Sequence, residues 1–142
     1  MPDKVQGLIT NHTAGGTIAP YRIVKHGTAD YHVLQATAAT EVLIGVSYIP
    51  DGPVDTIPYG QSAPAVQVSS GERVDIVRSW IFPVEYGGSI TRGQWLTSDA
   101  SGKAIAAAPA TGANMSVVGR AEVSGVSGDI GSVHIMPGQI QG

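Results

Sequence analysis

The chain has 142 residues, a mass of 14.6 kDa and a formal net charge of −3, with only 13% of residues charged. A chain of this size suits one domain with its own core, and its sparse, slightly acidic charge gives no basic field for gripping phosphate, so nucleic acid is not an expected partner. Cysteine is absent, which excludes disulfides, thiolate metal sites and cysteine nucleophiles.

The first residues, MPDKVQGLIT, lack the long apolar run of a secretory signal, and no segment approaches a membrane span. A soluble protein made in the cytoplasm, with no membrane partner, is the expectation. Glycine (19) and proline (9) cut up helices, while the many Val, Ile, Thr and Ser residues favour pleated surfaces. The fold class expected is therefore all-β: a single-domain β-sandwich, jelly-roll-like, or a small barrel.

In chain order, residues 1–20 read as an N-terminal arm in which Val5, Leu8 and Ile9 form a short apolar patch. The single β domain then spans 21–142. Strands are expected at Tyr21–Lys25, Tyr31–Ala36 and Glu41–Ser47. Residues 48–65 carry Pro50, Pro53, Pro58 and Pro64 with Gly52 and Gly60, which makes them an inserted surface loop, since proline supplies no ladder donor. Arg73–Arg78 and Trp80–Tyr86 are the strongest strand candidates, and Pro83 places the second at an edge or bulge. Gln94–Thr97 and Lys103–Ala107 flank the turn "SDASG". Met115–Val123 and Ser132–Met136 close the fold. The Ala-rich pieces at 36–43 and 103–110 read as strand and loop in preference to short helices.

The second half echoes the first. Gly15-Gly16-Thr17-Ile18 matches Gly87-Gly88-Ser89-Ile90 at 72 positions, Val33–Ala36 answers Ala104–Ala107 at 71, and Leu43–Val46 answers Val117–Arg120 at 74. Each half then reaches a Gly-acid pair, Gly71-Glu72 and Gly128-Asp129, before a V-x-I strand (Val74, Ile76; Val133, Ile135). Two related meanders follow from this, with the proline loop an extra insert in the first.

Chemistry is sparse. His12, His26, His32 and His134 show no metal-ligand spacing, and the carboxylate pairs Glu72/Asp75 and Asp51/Asp55 form no calcium loop. No GxSxG elbow occurs, and "GVSGDIGS" has an acid where a phosphate loop carries lysine, so it reads as a tight turn. No catalytic residue, metal site or cofactor is expected, and the chain reads as a non-enzyme. Trp80, Phe82 and Tyr86 share one face of a strand and read as core filler. Tyr48 and Tyr59, flanking the proline loop, suit partner contact.

The phrases "PYRIVKHG", "QATAATEVLIGVS", "VEYGGSITRGQWLTSDASGKAIAAAP" and "VVGRAEVSGVSGDIGSVHIMPGQIQG" resemble the capsid decoration, or cement, proteins of tailed bacteriophages, over residues 15 to 142. Gln94-Trp95 departs from the small polar pair usual there. The resemblance implies a virion protein on the outer capsid surface that binds the phage major capsid protein, bridges its subunits and stabilises the shell. It also implies self-association, as a homodimer or homotrimer. On that basis the expected contact residues are Val5, Leu8 and Ile9 of the arm, Tyr48, Ile49, Ile57 and Tyr59 of the loop, and Ile140 of the tail. The alternative is a β-sandwich carbohydrate- or receptor-binding module on a phage particle, working through exposed Trp80, Trp95 or a tyrosine platform.

Overall fold

The computed structural model describes residues 8–49 and 67–142. Ten strands and no helix occur among them: β1 Ile9–Ala14, β2 Ile23–His26, β3 His32–Gln35, β4 Leu43–Tyr48, β5 Arg73–Val77, β6 Trp80–Glu85, β7 Trp95–Ser98, β8 Ala104–Ala106, β9 Asn114–Ala121 and β10 Ile130–Gln141. The first five form a closed barrel in the order β1-β3-β2-β4-β5, and the last five a sheet in the order β6-β10-β9-β7-β8. The all-β expectation holds, and the Ala-rich pieces are strand and loop.

The echo in the sequence is a duplication of the fold. Read around the ring, β6-β10-β9-β7-β8 repeats β1-β5-β4-β2-β3 strand for strand. The registers repeat too. Ala14 pairs in parallel with Val33, and their counterparts Tyr86 and Ala104, 72 and 71 positions on, form an isolated parallel bridge. Val24 pairs with Gly45 as Leu96 pairs with Gly119, and Val46 pairs with Val77 as Arg120 pairs with His134. The offset is 74 at β4 (Val46 to Arg120) but 57 at β5 (Val77 to His134), so the first half holds 17 extra residues in its β4–β5 connection. Most of that proline-rich insert lies outside the described residues.

The two Gly-acid pairs do the same job in each half. Gly71 and Gly128 take φ of +90° and +94°, where a side chain is strained, and their N–H groups donate to the carbonyls of Ala14 and Tyr86 (2.8 and 2.9 Å). Glu72 and Asp129 then accept the N–H of the residue three back, Ser69 at 2.6 Å and Val126 at 2.9 Å. "GVSGDIGS" is thus a capped turn. In "SDASG", Asp99 Oδ1 accepts the N–H groups of Ser101 and Lys103 at 2.8 and 2.9 Å.

The expected arm is corrected from residue 9 onward. Ile9–Thr13 pairs antiparallel with Arg73–Val77, and Ile18 is fully buried. The strand carries no apolar period, because alternate positions of β1 are the polar or small Thr10, His12 and Ala14. His12 Nε2 lies 2.7 Å from Thr10 Oγ1. Burial, with Arg78 close by, holds the His12 ring below its ordinary pKa, so the neutral form is favoured there.

The halves differ in how they close. In the first, the Thr13 N–H donates to the Tyr31 carbonyl at 2.8 Å. At the matching positions in the second, Glu85 and Gly102, that bond is replaced by two. The Glu85 N–H donates to the Tyr21 carbonyl (3.0 Å), and the Ile23 N–H donates to the Gly102 carbonyl (2.8 Å). The segment Tyr21–Ile23 of the first half is therefore wedged into the seam of the second. Arg22 locks the wedge, with its guanidinium on Glu85 (3.2 Å) and on the Ser101 carbonyl (2.8 Å). The Tyr21 and Tyr48 rings pack on Phe82, with centroids 6.0 and 5.6 Å apart.

Two cores result. One fills the first barrel, around Ile18, Val24, Val33, Ile44, Val74 and Ile76. The other fills the second half and continues onto the outer face of the first, through Ile23, Leu43, Val46 and Val77. The two halves thus bury apolar surface against each other.

Candidate contact surface

Four of the expected contact residues are placed by local structure. Leu8 precedes β1, with its N–H donating to Ser79 Oγ at 2.8 Å and its carbonyl accepting from Arg78 N–H at 2.7 Å. Leu8 is 53% exposed and Ile9 48%. Ile140 lies in β10, paired with Met115 and partly buried, so it is part of the sheet rather than a loose tail. Tyr48 ends β4 and is partly buried, with its ring on Phe82. A fifth, Ile49, is buried in the first-barrel core. Val5, Ile57 and Tyr59 lie outside the described residues. Among the described residues of the set, Leu8 and Ile9 are the exposed apolar ones, adjacent in the chain.

The structure exposes two further apolar residues outside that set. Trp80 and Ile81 are the counterparts of Leu8 and Ile9, 72 positions on, and are 52% and 50% exposed. Of the aromatic face expected as core, Phe82 packs against the core and Tyr86 lies fully inside it, but Trp80 does not. Its φ of +88° opens β6 with a left-handed residue and breaks the alternation there. Bulky residues rarely adopt that conformation, which costs on the order of 1–3 kcal/mol, and such strain concentrates at functional positions. The signal that could have found it was the repeat: Leu8 aligned with Trp80.

Beside Leu8 a shallow groove of about 700 Å³ runs between the halves, lined by Val42, Leu43, His26, Arg78 and Pro137 among others. Val42 is itself 65% exposed. The groove is of mixed character, with Leu8, Val42, Leu43 and Pro137 beside the polar His26, Ser116 and Gln139 and the cationic Arg78. On the outer face of the second half, Arg120 lies 4.9 Å from the centre of the Trp95 ring, a cation–π contact. Among the described residues, no group of three or more His, Asp or Glu side chains converges. Among the described residues, no helix is long and apolar enough to cross a membrane.

In fold, then, the chain is a tandem of two five-stranded β units, the second closed around a wedge from the first. Among solved structures it is similar to the N base of the head fiber gp8.5 of bacteriophage phi29, with a TM-score of 0.57 and 18% identity over 90% of this chain and 92% of that one. At that identity the likeness is one of fold. Scans against protein-family models and against curated proteins find no match.

Proposed function

We propose that the chain is a structural protein of a phage virion, seated on the outer surface of the head, where it bridges neighbouring major capsid protein subunits and stabilises the shell. The observation that carries this reading is the nearly full-length likeness of fold to the base of a phage head fiber. The half-exposed apolar residues Leu8, Ile9, Trp80 and Ile81, with the groove beside Leu8, supply apolar surface for such a contact. A bridge needs little affinity per site, because engaging a second subunit of an ordered shell is effectively intramolecular. Self-association as a homodimer or homotrimer belongs to the same reading, as does synthesis in the host cytoplasm before assembly.

The test is co-purification with intact particles. A fixed ratio of this chain to the major capsid protein is expected, and particles that never carry it would end the reading. Removing residues 1–7, which leaves β1 whole, is expected to lower occupancy without lowering the melting temperature; cutting to residue 10 would also remove the Ile9–Val77 pairing. A second reading, a glycan-binding module, is favoured by Trp80 alone. Fluorescence quenching of the indole by a glycan, with no binding to heads, would replace the first reading with it.

A further inference from the structure

In the first half a row of side chains crosses four strands on the outer face: Ile9, Val77, Val46 and Ile23, each paired with the next. Three of the four are buried against the second half. The same row in the second half, position for position, is Ile81, His134, Arg120 and Trp95. There it is open: His134 and Arg120 are exposed and Trp95 is half-buried. A face that is an internal protein contact in one half is an uncovered surface in the other.

The replacements have a chemical direction. Val77, Val46 and Ile23 become a histidine, an arginine and a tryptophan. Arg120 is held in place by its stack on Trp95 and by its Nε, which donates to the Gly93 carbonyl at 3.2 Å. Its terminal N–H groups have no partner among the described residues, and no ion pair joins it to Glu122, the acid that follows the end of β9. An arginine immobilised on an aromatic ring, with its outer N–H edge unused, is built to receive a carboxylate.

We propose that the row Ile81–His134–Arg120–Trp95 is a docking surface for a carboxylate-bearing protein surface, and that the partner is the head subunit. The identity of the partner rests on the reading given under Proposed function; the acidic chemistry rests on the row itself. A second copy of this chain does not fit the row by repeating the internal contact. That contact uses a seam in the second half, which each copy fills with its own Tyr21–Ile23 segment. Apolar Ile81 at one end, adjoining the exposed Trp80, would exclude water from the ion pair and strengthen it.

The test uses heads assembled without this chain and the full-length protein added back over a series of salt concentrations. Arg120→Glu is expected to weaken binding at least tenfold and to flatten its salt dependence, whereas Arg92→Glu, an exposed arginine outside the row, is expected to bind like wild type. Arg120→Lys is expected to fall between, because it keeps charge but loses the planar stack. Unchanged melting temperatures show that the variants fold. If Arg120→Glu binds heads like wild type, or if Arg92→Glu weakens binding equally, the docking row is wrong while the virion reading stands. If wild type does not bind heads at any salt, the virion reading falls and takes the assigned partner with it.

Discussion

The two halves share strand order and register yet solve the same packing problem with different residues. Inside the first barrel Ala14 lies on β1 and Val74 on β5; at the matching positions the second half has Tyr86 and Gly131. A Cβ on Gly131 would run into the Tyr86 ring, so the large side chain and the missing one are a compensating pair. Tyr86 reaches the Val123 carbonyl with its hydroxyl (2.8 Å), and burial, with the Asp129 charge nearby, pushes its pKa up. The first half closes on itself and offers its outer face to the second; the second closes around its neighbour and leaves its outer face open. A duplicated fold becomes an asymmetric molecule when one copy covers the other and the uncovered copy is free to change its surface.

The largest effects should come from breaking that compensation. Gly131→Val, which installs the first-half residue beside Tyr86, is expected to cost about 3 kcal/mol or more through overpacking. Tyr86→Ala alone is expected to cost roughly 3–5 kcal/mol through the cavity it leaves. The double variant rebuilds the Ala14/Val74 pair and should lose at least about 2 kcal/mol less than the sum. Denaturant unfolding of all four proteins measures this, and additive losses would show that the two positions are not coupled.

A smaller contrast lies at the left-handed turn position of each half, Tyr31 (φ +65°) and Gly102 (φ +75°). Tyr31 is open to solvent, while a Cβ on Gly102 would meet Gln35 Cγ at 2.7 Å and the Ile23 carbonyl at 3.2 Å. Gly102→Ala is therefore expected to cost about 1–2 kcal/mol, because strain adds to a clash at the wedge. Tyr31→Gly should shift stability by less than about 0.5 kcal/mol, since relieved strain and lost chain stiffness oppose each other. Equal effects on melting temperature would erase the distinction between a wedged turn and a free one.

A pH-dependent effect sharpens the comparison of the β3–β4 and β8–β9 turns. Glu41 organises the first: it bonds Lys25 and accepts from the N–H groups of Thr37 (2.7 Å) and Ala38 (3.0 Å). At the offset of 74 that holds at β4, its position in the second half is Met115, inside β9. Burial pushes the Glu41 carboxyl up, but the Lys25 and Thr37 bonds outweigh it and hold the pKa at about 2, below the ordinary 4.5. A depressed carboxylate contributes stability that is complete above pH 4.5 and is lost as pH falls towards about 2. Glu41→Gln should thus cost about 1 kcal/mol at neutral pH, and its stability gap to wild type should close between those two values. Parallel stability–pH curves for the two proteins would remove Glu41 from the account.

Composition and turn chemistry settled the fold class, nearly every strand and the internal repeat, because glycine, proline and β-branched residues act locally and leave their mark within a few positions. The strand β1 stayed hidden because its alternation is polar, and its place is fixed by pairing with β5 some sixty residues away. Which outer face is covered, which tryptophan is exposed and which arginine has N–H groups to spare depended on how one half sits on the other. Those contacts join residues distant in sequence, and burial is a property of the assembled surface that no local pattern carries.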